Sequence, residues 1–309
     1  MRAFDLQGHR GARGLAPENT LAAFARALSL GVTTLELDLA VTRDGVVVVS
    51  HDPRLNPDLT RGPDGKWLDE HGPPFAAITF EEVRKLDVGR VRPGSAYAAQ
   101  FPEQASSGVA RIPRLEEVYA LARKAGNERV RFNIETKIDP RKPAETLAPE
   151  PFVGVVLKVV REAGAATRTT LQSFDWRTLL YAQRVAPDVE TVYLTVQGGD
   201  DTIEAGRPGA SPWLAGFDVD DHDGSVPKLV KAAGGKTWSP HCRDLAPAAL
   251  AEAHRLGLRV IPWTVNRGED MESLVDLGVD GLITDRPDVA RRVMGAKGLE
   301  LPAPTPVLP

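Results

Sequence analysis

The chain has 309 residues, 42% of them hydrophobic and 26% charged, the balance of a folded globular protein rather than a disordered, collagenous or membrane-spanning one. Thirty-eight Lys and Arg against 42 Asp and Glu leave a net charge of −4, which argues against nucleic acid or an anionic membrane as the main partner. The single cysteine, Cys242, excludes an intrachain disulfide and any multi-thiolate metal site within one chain.

No uncharged run approaches the roughly 18 residues of a membrane helix. Met1–Leu6 lacks a basic segment followed by an apolar one, which predicts a cytoplasmic protein. A periplasmic or other extracytoplasmic location fits a chain whose leader has been removed.

Phe4–Gly8 reads as a first strand. Leu21, Phe24, Ala25 and Leu28 then share one helical face, with Asn19 or Thr20 as N-cap and Gly31 as the stop. Thr33–Val41 reads as the second strand, and Val46–Val49, after the Asp44-Gly45 turn, as a hairpin arm. Residues 52–111 break the rhythm. They are rich in Pro, Gly and charge, predict one helix (Phe80–Leu86), and read as an insertion after the second strand that could form a lid.

Leu115, Val118, Tyr119 and Ala122 mark the next helix. Further strands are expected at Val130–Lys137, Thr169–Phe174, Glu190–Thr195, Lys236–Pro240, Arg259–Val265 and Gly281–Asp285. Helices are expected between them, near 150–163, 176–185, 225–233, 247–256 and 269–277. About eight β/α units predict an α/β fold, a (β/α)8 TIM barrel with an inserted segment after the second strand. Residues 1–300 would form that one domain, and the Pro-rich 301–309 an unstructured tail.

The chemistry concentrates at strand ends. In Leu35-Glu36-Leu37-Asp38-Leu39, alternation sends the leucines to the helices and both acids to the barrel interior. Paired inward carboxylates are costly unless a cation lies near. The pattern recurs in Arg131–Lys137, where Phe132 and Ile134 point outward and Asn133, Glu135 and Lys137 inward. Three carboxylates on two strands make an all-oxygen site suited to one divalent cation, Mg²⁺ or Ca²⁺, with Mn²⁺ also admissible. The alternative is internal ion pairing with Lys137 or Arg10.

His9 and His51 close the first and second strands, where barrel active sites form, and a histidine pair can divide general acid and base roles. The alternative is that each caps its strand by hydrogen bonding. Arg10 and Lys137 are the candidate anion binders, so the ensemble suits a phosphate ester better than a neutral sugar.

Other signals fail. Gly8, Gly11 and Gly14 do not match the dinucleotide fingerprint. The Asp218–Gly224 run has its glycine one place late for a calcium loop, and Leu229 stands where a bidentate acid belongs. No G-x-S-x-G elbow occurs, Cys242 beside His241 reads as incidental, and His71, His222 and His254 carry no supporting pattern.

The ordered set His9-Arg10-Gly11, Pro17–Thr20, Glu36-Leu37-Asp38, His51-Asp52, Ile134–Lys137, Gln172-Ser173-Phe174, Trp263–Asn266 and Asp280–Pro287 closely resembles the glycerophosphodiester phosphodiesterase family, from about residue 8 to 287. The resemblance implies a TIM barrel and metal-dependent hydrolysis of glycerophosphodiesters to an alcohol and glycerol 3-phosphate. It implies Glu36, Asp38 and Glu135 as metal ligands, His9 and His51 as the acid/base pair, and Arg10 and Lys137 as phosphate ligands. Trp263 would lie beside the glycerol, and Gln172 and Glu18 would orient the site or brace loops.

Thr136 departs from the family's usual aliphatic residue but points outward. The expected partner is a small-molecule substrate, with no nucleic acid and no stable membrane association. Two alternatives are a phospholipase acting on intact lipids through an apolar mouth built from Trp67, Phe75, Ile78 and Phe80, and a non-catalytic binding protein on a retained barrel.

Overall fold

A computed structural model describes residues 4–197 and 202–309. The first half runs β1 (Asp5–Gly8), α1 (Leu21–Leu30), β2 (Thr34–Val41), β3 (Val47–Val49), α2 (Phe80–Val83), α3 (Ala96–Gln100), α4 (Leu115–Lys124), β4 (Arg131–Thr136) and α5 (Pro149–Glu162). There follow β5 (Thr169–Ser173), α6 (Trp176–Val185), β6 (Glu190–Thr195), α7 (Val226–Ala232), β7 (Thr237–Pro240), α8 (Pro247–Arg255), β8 (Arg259–Val260), α9 (Gly268–Leu277), β9 (Gly281–Thr284) and α10 (Pro287–Ala296).

Strands lie side by side in the order β8-β7-β6-β5-β4-β2-β1-β9, with β3 antiparallel on β2. Backbone bonds join the two ends: Asp280 N to Val260 O (2.9 Å), Ile283 N to Pro262 O (3.0 Å) and Val265 N to Ile283 O (3.0 Å). The fold is therefore the (β/α)8 barrel that the alternation predicts. The last predicted strand, Arg259–Val265, is regular only at Arg259–Val260. Pro262 has no N–H to give, which interrupts the regular strand, although Ile261 and Trp263 still donate to the β7 carbonyls of Trp238 and Pro240.

Alternation holds throughout β2. Leu35, Leu37 and Leu39 are buried in the main hydrophobic cluster with Phe24, Leu28, Phe132 and Ile134, while β2 and β4 run in a register that sets Asp38 beside Glu135. Thr20, not Asn19, caps α1, its hydroxyl accepting from Ala23 N at 3.1 Å.

The 52–111 insertion has its own small core. Leu55, Phe75, Val83, Leu86 and Ile112 pack on Ala40 and Val48 of the β2–β3 hairpin, with Ile78 and Phe80 at the edge. Its predicted helix stops at Val83, and a second short helix, α3, starts at a Ser95 cap that the irregular composition hid. Helix α10 was also not foreseen, although Pro287 at its start and buried Ala290, Val293 and Met294 are helical signals.

The 301–309 segment has no regular secondary structure but is tied down. Thr305 N donates to Leu28 O (2.8 Å), Arg291 Nη1 to Pro302 O (2.6 Å) and Lys124 Nζ to Leu308 O (2.9 Å). Among the described residues no helix is long and apolar enough to cross a membrane.

Candidate active site

The parallel strands deliver their carboxyl ends to one mouth. A hollow of about 170 Å³ opens there, lined by His9, Arg10, Glu36, His51, Glu135, Lys137, Gln172, Phe174 and Trp263 among others. Asp38 lies just behind it. Glu36, Asp38 and Glu135, all buried, offer oxygens within 4.8 Å of one another. All eight residues singled out by sequence reasoning thus meet at one place. A much larger groove, about 1170 Å³, runs along the outside of the insertion and holds none of them.

Both readings of the acids are physically present. Arg10 Nε lies 3.2 Å from Asp38 Oδ2 and its Nη1 donates to Glu18 Oε1 at 2.8 Å, while Lys137 Nζ lies 2.9 Å from Glu135 Oε1. Those pairs do not neutralise the cluster: Glu36, Asp38 and Glu135 share Arg10 and Lys137, and Glu18, which also lies 3.8 Å from Arg13, draws on Arg10 as well. Burial and the neighbouring Asp38 charge push the Glu36 carboxyl well above its usual range. Burial, reinforced by Asp38, lifts Glu135 to about 7 in spite of Lys137. Asp38 is held low, its own burial outweighed by Arg10, His51 and Lys137. Surplus carboxylate charge among oxygen donors is the environment a hard cation relieves, so the residues present fit a metal ion.

Backbone conformation helps build the cluster. Arg10 has φ of 49°, in the left-handed region, and its N–H reaches Glu36 Oε2 at 2.8 Å. Asn19, also left-handed at φ 55°, donates from Nδ2 to Asp38 Oδ2 at 2.9 Å.

The two imidazoles are held alike. His9 Nδ1 lies 2.7 Å from Asp285 Oδ1, and His51 Nδ1 2.8 Å from Asp52 Oδ1. An ionised carboxylate only accepts, so each Nδ1 carries the proton and each Nε2 keeps a lone pair. His51 Nε2 accepts from Lys137 Nζ at 3.1 Å, and His9 Nε2 stands 3.9 Å from Glu36 Oε2. Burial, then Arg13, lowers His9 to about 4 against the pull of Asp285. Burial, then Arg10 and Lys137, lowers His51 to about 3. Both rings are neutral near pH 7.

Trp263 stands at the rim, its Nε1 donating to Ser239 O at 3.0 Å and its ring edge-on to Phe174 with centroids 5.3 Å apart.

Residues 9–289 match the model of the glycerophosphoryl diester phosphodiesterase family. The chain belongs to this family. A glycerophosphodiester phosphodiesterase of Caldanaerobacter subterraneus subsp. tengcongensis is 30% identical over 280 residues, covering 91% of this chain and 93% of that protein. A crystal structure of a putative glycerophosphoryl diester phosphodiesterase from Silicibacter pomeroyi is 37% identical and superimposes with a TM-score of 0.84 over 96% of this chain and 95% of that one. An Oleispira antarctica phosphodiesterase, solved in complex with the product sn-glycerol-3-phosphate, is 20% identical and shares the fold with a TM-score of 0.69, covering 94% of this chain and 96% of that one.

In this glycerophosphodiester phosphodiesterase several site residues escaped sequence reasoning as individuals. Asp285 is clamped by Arg13, Nε to Oδ1 at 2.7 Å and Nη2 to Oδ2 at 2.9 Å, and by Asn266 Nδ2 at 2.7 Å. Against the cost of burial, the His9 and Arg13 charges hold its carboxyl far below the usual range. Asp52 is held by Asn56 Nδ2 at 2.6 Å. Asp285 sits one residue beyond β9, a position that barrel geometry marks as functional. Of the two cap candidates, Thr20 caps α1 and Asn19 serves Asp38.

Proposed function

We propose that this enzyme hydrolyses glycerophosphodiesters to an alcohol and sn-glycerol 3-phosphate. In this proposal residues 1–300 act as one barrel domain carrying the 52–111 insertion. Glu36, Asp38 and Glu135 hold one divalent cation, Mg²⁺ or Ca²⁺, with Mn²⁺ a third candidate. A cation there supplies positive charge to the phosphoryl oxygens and so eases attack at phosphorus. The observation that carries the reading is the pair of imidazoles, each fixed at Nδ1 by a carboxylate, beside the same three acids.

Arg10 and Lys137 grip phosphate oxygens, and Trp263 covers the glycerol. One imidazole takes the proton of the glycerol 2-hydroxyl at Nε2 as that oxygen bonds to phosphorus. The other, protonated as the phosphate anion settles beside it, gives its Nε2 proton to the departing alcohol. Water then opens the cyclic phosphate: the second imidazole takes the proton of water, and the first returns its proton to the 2-oxygen.

The phospholipase alternative finds less support. Phe75, Ile78 and Phe80 are used in the insertion's own core, and Trp67 lies under the Arg61 guanidinium, 5.7 Å from its carbon. None of them lines the hollow.

His9→Ala and His51→Ala, assayed by release of glycerol 3-phosphate from glycerophosphocholine, should each lose roughly 10²–10⁴-fold in kcat. Wild type should lose activity to a chelator and regain it on adding a divalent cation. Near-native turnover in either variant, or chelator-resistant wild-type activity, would overturn the proposal.

A further inference from the structure

Below the site, the barrel interior is polar where a barrel is usually filled with branched apolar side chains. Asp5, Gln7, Asn133 and Gln172 are all at most 3% exposed and form one ladder. Gln7 Nε2 donates to Asp5 Oδ2 at 3.1 Å. Asn133 Nδ2 donates one hydrogen to Gln7 Oε1 at 2.9 Å and the other to Gln172 Oε1 at 2.8 Å. Gln172 Nε2 ends the ladder on Glu36 Oε1 at 2.6 Å.

An amide can be turned over, exchanging its donor and acceptor ends, so a buried amide needs something to fix its direction. Asp5 meets donors on its other sides, the Thr34 hydroxyl at 2.6 Å and Arg131 and Arg259 at 3.6 and 3.5 Å, and so faces Gln7 as an acceptor. Its presence requires Gln7 to show it the NH₂ end. Gln7 then shows an oxygen to Asn133, which requires the Asn133 NH₂ to face inward along the ladder. The Thr170 hydroxyl, donating to Asn133 Oδ1 at 2.8 Å, fixes the same direction from the other side. With both Asn133 hydrogens committed, Gln172 must turn its oxygen down and its NH₂ up, toward Glu36. Reversing any one amide sets two like ends against each other in a buried place, at a cost comparable to an unsatisfied polar group.

We infer that the Asp5–Gln7–Asn133–Gln172 ladder is a positioning device for the cation site: from the closed end of the barrel it dictates that Gln172 presents an N–H to Glu36 Oε1. Glu36 Oε2 takes the Arg10 N–H, so both oxygens are oriented by donors before a cation arrives. This rests on the cation reading above.

The test is cation affinity, measured by titrating Mn²⁺ into metal-stripped protein, alongside the thermal midpoint of the stripped protein. Gln172→Met should weaken Mn²⁺ binding roughly 10–100-fold, the usual effect of removing the group that orients a ligand. Asn133→Leu should fall within the same range, and Asp5→Asn by about tenfold, at its low end. Thr34→Val, which loosens Asp5 without touching the ladder, should bind Mn²⁺ as wild type does whatever happens to its midpoint. Gln7→Met breaks the ladder while sparing the Asp5 ion pairs and decides the matter if Asp5→Asn fails to fold; it too should weaken binding by about tenfold.

Unchanged affinity in Asn133→Leu and Gln7→Met would overturn the inference, as would a loss in Thr34→Val equal to that in Asp5→Asn. A wild-type protein that binds no Mn²⁺, Mg²⁺ or Ca²⁺ would instead overturn the cation reading itself.

Discussion

The two histidines are held by the same contact in two different surroundings. His9 leans on Asp285, 276 residues away in the chain, and that carboxylate is almost wholly buried and gripped by Arg13 and Asn266. His51 leans on its own neighbour, Asp52, whose side chain is 28% exposed and whose other support, Asn56, belongs to the insertion. One support is rigid and assembled by the closing of the barrel. The other is local and borders an added segment. Identical hydrogen bonds therefore carry different structural weight, because a buried charge stripped of its partner has no water to turn to.

Exchanging each acid for its amide sharpens the contrast most. Asp285→Asn should lower kcat roughly 10²–10⁴-fold, since an amide can present its NH₂ to Nδ1 and reverse the tautomer. It should also cost about 1–3 kcal/mol of stability by leaving buried donors of Arg13 and Asn266 without their acceptor. Asp52→Asn should lower kcat about tenfold, the worth of one hydrogen bond to a charged group, with little change in melting temperature. Equal losses, read by steady-state kinetics and thermal melting, would erase the distinction.

Acid should separate the two variants next. The Asp285 carboxyl is held far below its ordinary value by His9 and Arg13, despite burial. Its contribution is therefore whole above the unfolded carboxyl value of about 3.9 and drains as the pH falls from there toward the folded value. The melting-temperature gap between wild type and Asp285→Asn should narrow between about pH 5 and about pH 2.5. A constant gap would mean that the charge contributes nothing. The smallest effect is expected of Asn56→Ala, a loss within about 1 kcal/mol in melting experiments. A larger loss would show that the insertion braces His51 more firmly than its exposure suggests.

The same contrast explains what could be read in advance. Glu36, Asp38 and Glu135 stand out because strand alternation is a local rule, and the leucines around the first two, with Phe132 and Ile134 before the third, mark the outer face. His51-Asp52 is adjacent in the chain. The bond from His9 to Asp285 exists only because β1 and β9 are neighbours, a fact of topology that no window of sequence contains. The choice between Asn19 and Thr20 as cap is settled the same way: the left-handed backbone of Asn19 turns its side chain toward Asp38, and Thr20 takes the cap. The ladder beneath Glu36 joins residues of β1, β4 and β5, and its logic lies in which end of each amide faces which neighbour.

The seam between β1 and β9 has a consequence for the life of the molecule. His9 and Asp285 lie 276 residues apart, so the barrel must close from β1 to β9 before this imidazole finds its anchor. The orientation of His9 is thereby tied to assembly: a partly folded barrel can gather carboxylates along β2 and β4, yet has no oriented His9 until β9 docks on β1.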